Sequence, residues 1–252
     1  RARIIGPTTY HAFMNKLDAL FTGSNIEENT YKTLKIIYIL AYRTGMRINE
    51  VLGLRVRDIE GLTHFSVWIQ PYGSKRQGNL HPLKTDSAAR KVPVFCLLKA
   101  DEYQLFHSYV VEQRLLNQPD LYLFSYWNKD SKLNKHTVTT PFRMIMNELF
   151  KDHDYSFHSF RHTAANQLSI VLNCNYSLLV KRLTDYTEQE YLSIRTELLR
   201  HTHGQNHWFM IAHLLGHIDP TETFKSYIHL SYLIAGHKIL QYHPDIDTQR
   251  PN

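Results

Sequence analysis

The sequence predicts an α+β fold, mostly α-helical with one small antiparallel β-sheet. Three observations carry this reading. Apolar residues recur at helical spacing over most of the chain. Alternation of period two is confined to residues 55–94. No internal repeat, low-complexity tract or long linker divides the 252 residues, so 1–252 reads as a single domain.

Residues 8–22 form a helix with Phe13, Leu17, Leu20 and Phe21 on one side, part of a helical lead-in over 1–27 that breaks at Gly23-Ser-Asn25. A stronger helix over 28–43 stops at Thr44-Gly45, and a short one follows at once over Met46–Leu54. Arg47 then stands at a helix N-terminus, where free backbone N–H groups and the helix dipole favour an anion. Glu50, three residues on, shares its face and can orient it, although an ordinary Arg–Glu surface pair would look the same.

The strand signals are His64–Gln70, Leu80–Leu83 and Arg90–Val94, with Gly73, Gly78 and Asp86-Ser87 at the turns. Lys75, Arg76, Lys84, Arg90 and Lys91 lie on or near these hairpins. There they either guard a sheet edge or reach the phosphates of DNA. Helices over 96–116 and 134–150 flank a Tyr/Trp-rich loop at 121–128. The string from Phe157 to Leu168 opens another helix. On it His158 and Arg161, at i and i+3, face one point, and His162 points about a third of a turn away.

Residues 175–206 are polar and helix-prone, with a partial apolar stripe through Leu178, Leu179, Leu183, Tyr186, Tyr191, Ile194 and Leu198. After a helix at 207–215, Gly216 is the stop, Asp219 the next N-cap, Pro220 the first helical position and Glu222 the capping-box partner. Phe224, Tyr227, Ile228 and Ser231 share a face of that last helix, so Tyr227 is expected to ride on it just after a turn that presents His217.

Hydrophobic residues make up 43% of the chain and charged residues 21%, the balance of a globular protein. No apolar run reaches membrane-spanning length, and Arg1-Ala-Arg3 leads into polar residues rather than a signal-peptide core. Cys96 and Cys174 fit no disulfide or metal framework, which points to a reducing cytoplasm. With 29 Lys+Arg against 23 Asp+Glu, the net charge of +6 suits a polyanionic partner.

Arg47, Lys84, His158, Arg161, His217 and Tyr227 form a set with one chemical logic. Arginines neutralise the nonbridging oxygens of a phosphodiester and the charge that builds on them. A histidine takes a phenol proton, and a lysine protonates the departing oxygen. A covalent tyrosine route needs no carboxylate-bound Mg²⁺, so neither metal nor cofactor is expected.

Four strings then show a resemblance. Thr44-Gly-Met-Arg-Ile-Asn-Glu-Val-Leu-Gly-Leu54, Leu83-Lys-Thr-Asp-Ser-Ala-Ala-Arg-Lys-Val-Pro93, His158-Ser-Phe-Arg-His162, and Leu214-Leu-Gly-His217 with Tyr227-Ile-His229 occur in the order found in tyrosine recombinases. The chain resembles the catalytic domain of that phage-integrase family over most of residues 44–230. The resemblance implies that Arg47 and Arg161 clamp the scissile phosphate and that Glu50 supports Arg47. It implies that Lys84 is the general acid for the 5′-hydroxyl, that His158 assists proton transfer, that His217 donates to a phosphate oxygen, and that Tyr227 becomes the 3′-phosphotyrosine. Lys75, Arg76, Arg90 and Lys91 are expected to contact DNA.

The implied partners are double-stranded DNA, further copies of the chain in a tetramer, and accessory DNA-bending proteins. The implied setting is a prokaryotic cytoplasm, at the nucleoid, in integration or excision of a mobile element. Two departures stand out. The stretch from Arg161 to His217 is long, so about 175–206 reads as a helical insertion outside the active site. The N-terminal core-binding domain of relatives is expected to be absent from this chain. Three rivals remain: a type IB topoisomerase using the same chemistry, a DNA-binding regulator with a disused active site, and a metal protein built on His201, His203 and His207.

Lys84 and Lys75 are separable by experiment. An alkoxide leaving group needs a proton as the bond breaks, whereas a thiolate does not, and general acid catalysis is worth about 10²–10⁴-fold. Lys84→Ala is expected to cleave ordinary DNA slowly, yet to cleave DNA with sulfur at the bridging 5′ position nearly as fast as the unaltered chain. Lys75→Ala is expected to lose affinity without such rescue. Sulfur rescue of Lys75→Ala alone would exchange the two roles.

Overall fold

The computed structural model describes residues 3–22, 27–70, 89–126, 131–151, 154–200 and 206–242. Two helices form its spine: α2 (Glu28–Thr44) and α7 (His158–Asn173). From Ile36 to Thr44 every residue of α2 is buried, and α7 is buried from Ser159 to Leu172. A helix buried all round cannot show a clean apolar stripe. Several of its polar side chains bond within the helix or to α2. Thr163 and Ser169 donate to the carbonyls of Ser159 and Ala165, and Gln167 donates to the Tyr42 hydroxyl at 2.9 Å.

Helix α1 (Pro7–Thr22) lays Phe13 into an aromatic cluster with Tyr38 of α2, Phe142 of α6 (Lys135–Leu149) and Phe160 of α7. Edge-on and tilted rings fill this part of the core.

The predicted strands at 64–70 and 90–94 shorten to β2 (Ser66–Ile69) and β3 (Arg90–Val92). β2 pairs antiparallel with β3, Val67 opposite Val92, and on its other edge with β1 (Ile59–Glu60), Ile59 opposite Val67. The predicted strand Leu80–Leu83 and its hairpin residues Lys75, Arg76 and Lys84 lie outside the described residues. The expected helix over 96–116 is divided into α4 (Val94–Leu97) and α5 (Ala100–Leu115), because Leu98 and Lys99 take extended backbone angles and the Glu102 carboxylate caps α5 through the Lys99 amide.

Of the segment 175–206, residues 175–200 are described, and they pack into the domain rather than standing apart from it. Its helices α8 (Leu178–Thr184) and α9 (Glu188–Leu199) bury Val180, Tyr186, Tyr191, Ile194 and Leu198 in the common core. Tyr186 donates to the Leu97 carbonyl at 2.8 Å. The Arg43 side chain is fully buried. It donates to both Glu102 oxygens and to the Thr184 carbonyl, with Tyr10, Tyr42 and Tyr186 rings around it and Asp185 at 3.6 Å. This ion pair joins α2 and α5 to the end of α8. Removing one partner from a pair so buried typically costs about 3–5 kcal/mol. The described part of the segment, 175–200, thus contributes to the common core, whereas Leu178 and Leu179 of the expected stripe lie exposed.

Helices α10 (His207–Leu215), α11 (Pro220–Ser226) and α12 (Ser231–Tyr242) are the last of the described residues and lie beside α7. Among the described residues, no helix is long and apolar enough to cross a membrane.

Candidate active site

Arg161 is the centre of the site. It projects from the first turn of α7 and is 1% exposed. No carboxylate bonds to it among the described residues. It is held instead by helix C-termini: Nη1 donates to the Gly45 carbonyl at the end of α2 (2.8 Å), and Nη2 donates to the Leu215 carbonyl at the end of α10. The last carbonyls of a helix carry partial negative charge and lack partners in their own helix, so a guanidinium suits them. Both helices end on a left-handed glycine, Gly45 and Gly216, each with φ of 68°. At Gly45 a Cβ would come within 2.9 Å of a Leu215 methyl and 3.0 Å of the Ala164 Cβ, so this glycine also permits the close packing around Arg161. Burial first, and then the Arg47 charge, lower the Arg161 pKa to about 10, which leaves it charged at neutral pH. Its Nε has no hydrogen-bond partner among the described residues.

Arg47 caps α3 (Ile48–Gly53) and points into the same region. Glu50 receives its side chain at 2.9 Å and its backbone N–H at 2.7 Å, the support expected of it. Glu50 also receives Arg90 Nη2 at 2.9 Å. Arg90 corrects its expected role as a DNA contact. Its side chain is fully buried, and its Nε donates to the Leu214 carbonyl at 2.7 Å. It faces inward because β3 presents alternate residues to opposite faces and Arg90 falls on the buried one. Lys91, on the outer face, pairs with Glu60 at 2.6 Å. Flanking arginines hold the Glu50 carboxyl below its usual value against the opposing effect of burial, which is the largest single influence on it.

His217 follows the Gly216 turn. Its Nε2 lies 2.9 Å from Arg161 Nη2 and its Nδ1 2.7 Å from the Thr223 hydroxyl. Since the guanidinium can only donate, Nε2 accepts and Nδ1 carries the proton. Burial, reinforced by Arg161, lowers the His217 pKa to about 3, so the ring is neutral. Asp219 caps α11 through the Thr221 amide at 2.6 Å, with Pro220 first in the helix. Glu222 corrects its expected capping-box role: its carboxylate accepts from the Ser226 hydroxyl one turn on.

Tyr227 is 8% exposed. It also corrects an expectation, since α11 ends at Ser226 and Tyr227 is the residue that closes it. The helix stops because Asn166 of α7 takes the Tyr227 carbonyl and the amides of His229 and Leu230, groups a continuing helix would use itself. The Tyr227 ring has the Arg161 guanidinium carbon 5.1 Å from its centroid, with the rings of His217 at 5.1 Å, His158 at 5.5 Å and His162 at 4.6 Å. His158 is exposed at the mouth, and burial together with Arg161 lowers its pKa. His162, expected to point elsewhere, packs on Tyr227 and bonds His229 at 3.0 Å.

The described structure thus brings Arg47, Glu50, His158, Arg161, His217 and Tyr227 together. The sequence reading missed Thr223, Asn166, Arg90 as an inner strut, and the His162–His229 pair. Only the last left a mark in the sequence, as the final histidine of the Tyr-Ile-His string.

A cleft of about 880 Å³ opens beside Arg47, His158 and Arg161. Lys135, His136 and Arg143 of α6 line its far side, with Trp68 of β2. The mouth is therefore cationic, fitted to an anion larger than a single phosphate. Among the described residues no group of three or more His, Cys, Asp or Glu side chains could hold a metal ion, and His201 and His203 lie outside them.

The mostly helical fold with its small antiparallel sheet is one that known proteins share. The sequence profile of the phage integrase family matches residues 12–170, more than half of the chain. The chain belongs to the phage integrase family. The match covers Arg47 and the His158–His162 string and ends before His217 and Tyr227.

Among solved structures, the Tn1549 transposon integrase in complex with a circular intermediate DNA is 16% identical, covering 96% of this chain and 66% of its own, with a TM-score of 0.55. The XerH site-specific recombinase bound to a palindromic difH substrate is also 16% identical, covering 98% of this chain and 53% of its own, with a TM-score of 0.55. These likenesses are of fold, and the chain spans two thirds or less of those proteins. None of the curated proteins matches this sequence.

His162 and His217 beside Tyr227 are neutral when folded but take up protons when unfolded, and His158 is shifted the same way. The pKa of His162 is lowered to about 4 by burial and then by His158, that of His217 to about 3, and that of His158 in the same direction. The unfolded chain binds the extra protons below about pH 6.5, so stability is present above that value and lost as pH falls towards the folded pKa values. The melting temperature is expected to fall between pH 7 and pH 5, and to fall less steeply in His162→Asn. A melting temperature flat across this range would contradict the site described.

Proposed function

We propose that this chain is the catalytic domain of a tyrosine recombinase, which cuts and rejoins DNA through a covalent 3′-phosphotyrosine at Tyr227. The observation that carries this reading is the packing of Tyr227, within one chain, over Arg161 and between His158 and His217. Its family membership and the DNA-bound state of its solved neighbours support it.

In this reading the scissile phosphate sits between Arg47 and Arg161 and takes up bonding capacity that the guanidinium does not use in the unbound chain. The phenol oxygen of Tyr227 attacks phosphorus. The bond to the 5′ oxygen breaks, and Lys84 protonates that oxygen. Neutral His158 takes the phenol proton, directly or through water. A phosphate oxygen draws Arg161 away from His217, whose Nε2 then carries a proton and donates. The Thr223 hydroxyl permits this exchange because it can give or receive at Nδ1. The arginines gain most as charge builds on phosphorus, which is how they lower the barrier.

Reversal by a 5′-hydroxyl restores the phosphodiester, so bond energy is conserved and no nucleotide cofactor is consumed. When the attacking hydroxyl belongs to a second duplex, strands are exchanged. A tetramer on DNA, integration or excision of a mobile element, and accessory bending proteins follow from that assignment. Lys75, Arg76 and Lys91 would bind backbone phosphates.

The test is a nicked suicide substrate carrying the element's end sequence. Wild-type protein is expected to accumulate a covalent protein–DNA adduct, in EDTA as well as in Mg²⁺. Tyr227→Phe is expected to bind DNA equally and form none. Adduct from the Phe variant at the wild-type rate would sink the assignment, and loss in EDTA restored by Mg²⁺ or Zn²⁺ would favour a metal-dependent reaction.

A further inference from the structure

Asn166 lies one turn beyond Arg161 on α7 and is 1% exposed. Its amide uses all its bonding capacity. Nδ2 donates to the His162 carbonyl and to the Tyr227 carbonyl, each at 2.7 Å. Oδ1 accepts from the amides of His229 at 2.9 Å and Leu230 at 3.0 Å. Two donors and two acceptor sites are what a primary amide offers, and no other side chain of this size supplies both. One side chain of the Arg161 helix therefore fixes three backbone groups around Tyr227, more than sixty positions away in sequence. The His162–His229 bond, with the two rings stacked 5.2 Å apart, braces the same turn from its other side.

We propose that Asn166 is a positioning residue for Tyr227. It latches the turn that ends α11, so that the phenol is held over Arg161 of its own chain, with the His162–His229 pair as a second brace. This rests on the reading of Tyr227 as the nucleophile. α11 has only two turns and Tyr227 lies past its end, where the Tyr227 and Ile228 amides bond back to the Thr223 carbonyl, so the latch adds the anchor on α7 that sets the distance from phenol to phosphate. A displacement of about 1 Å from attack geometry costs on the order of 10²-fold in rate.

The experiment compares the wild-type chain with Asn166→Ala and Asn166→Asp. The Asp variant keeps size and both acceptor bonds but sets a carboxylate against the Tyr227 carbonyl. Three quantities are read: DNA affinity, the single-turnover rate of adduct formation at saturating protein, and amide hydrogen exchange over 227–233. Both variants are expected to bind DNA as wild type does, to form adduct about 10²-fold more slowly, and to exchange faster in that segment. Sulfur at the bridging 5′ position is expected not to restore the rate, because nucleophile placement rather than the leaving group is then limiting.

A folded Asn166→Ala with wild-type adduct rate, or unchanged exchange over 227–233, would overturn the latch. Failure of both variants to fold would overturn it in favour of a structural role alone. If wild-type protein forms no adduct, the reading of Tyr227 fails instead. The exchange measurement then still decides whether Asn166 holds the turn.

Discussion

The site depends on keeping one guanidinium charged beneath the surface without a carboxylate to neutralise it. A buried cation is costly unless its hydrogen bonds are met. Arg161 meets part of this demand at the C-termini of two helices, α2 and α10, whose carbonyls accept from its two Nη groups at Gly45 and Leu215, and leaves Nε without a partner among the described residues. This solution leaves the positive charge uncancelled. A carboxylate in the same place would compete with a phosphate for it. Glu50 serves the outer arginine in that way and is itself shared with Arg90, so Arg47 is oriented without being fully neutralised.

The rest of the architecture follows from that demand. α10 must end at the Arg161 side chain, which Arg90 secures by holding the Leu214 carbonyl from β3. The turn that ends α10 then delivers His217 directly against the guanidinium. α11 begins at once and returns Tyr227 to the same cation, 5.1 Å away. A short path in sequence thus carries three functions to one charge. The buried Arg43–Glu102 pair does a comparable job near the same end of α2, tying the end of α8 to the core. A segment that reads as an appendage packs against α7 and is tied to α2 through Arg43.

The sequence disclosed the site better than the interior around it. Arg47, His158, Arg161, His217 and Tyr227 sit in strings whose order is informative without any geometry. The helices at 8–22 and 28–43 are legible because each buries one stripe or one continuous run. Three things were hidden, each for a physical reason. Arg90 reads as a surface cation because nothing in a single strand says which face is buried. Asn166 reads as an ordinary polar residue because most of its partners are backbone groups more than sixty positions away, and Thr223 because its bond to the His217 ring depends on the turn between them. The end of α11 before Tyr227 could not be read because capping signals mark where that helix starts, whereas its stop comes from Asn166 on another helix.

The central claim is that the chemistry passes through the Tyr227 oxygen. The most direct measurement isolates the adduct from a suicide substrate, digests protein and DNA, and locates the bond by mass spectrometry. The account predicts a nucleotide joined through its 3′-phosphate to Tyr227, with a free 5′-hydroxyl on the released strand. A phosphate on any other side chain, or a link through the 5′ end, would contradict it.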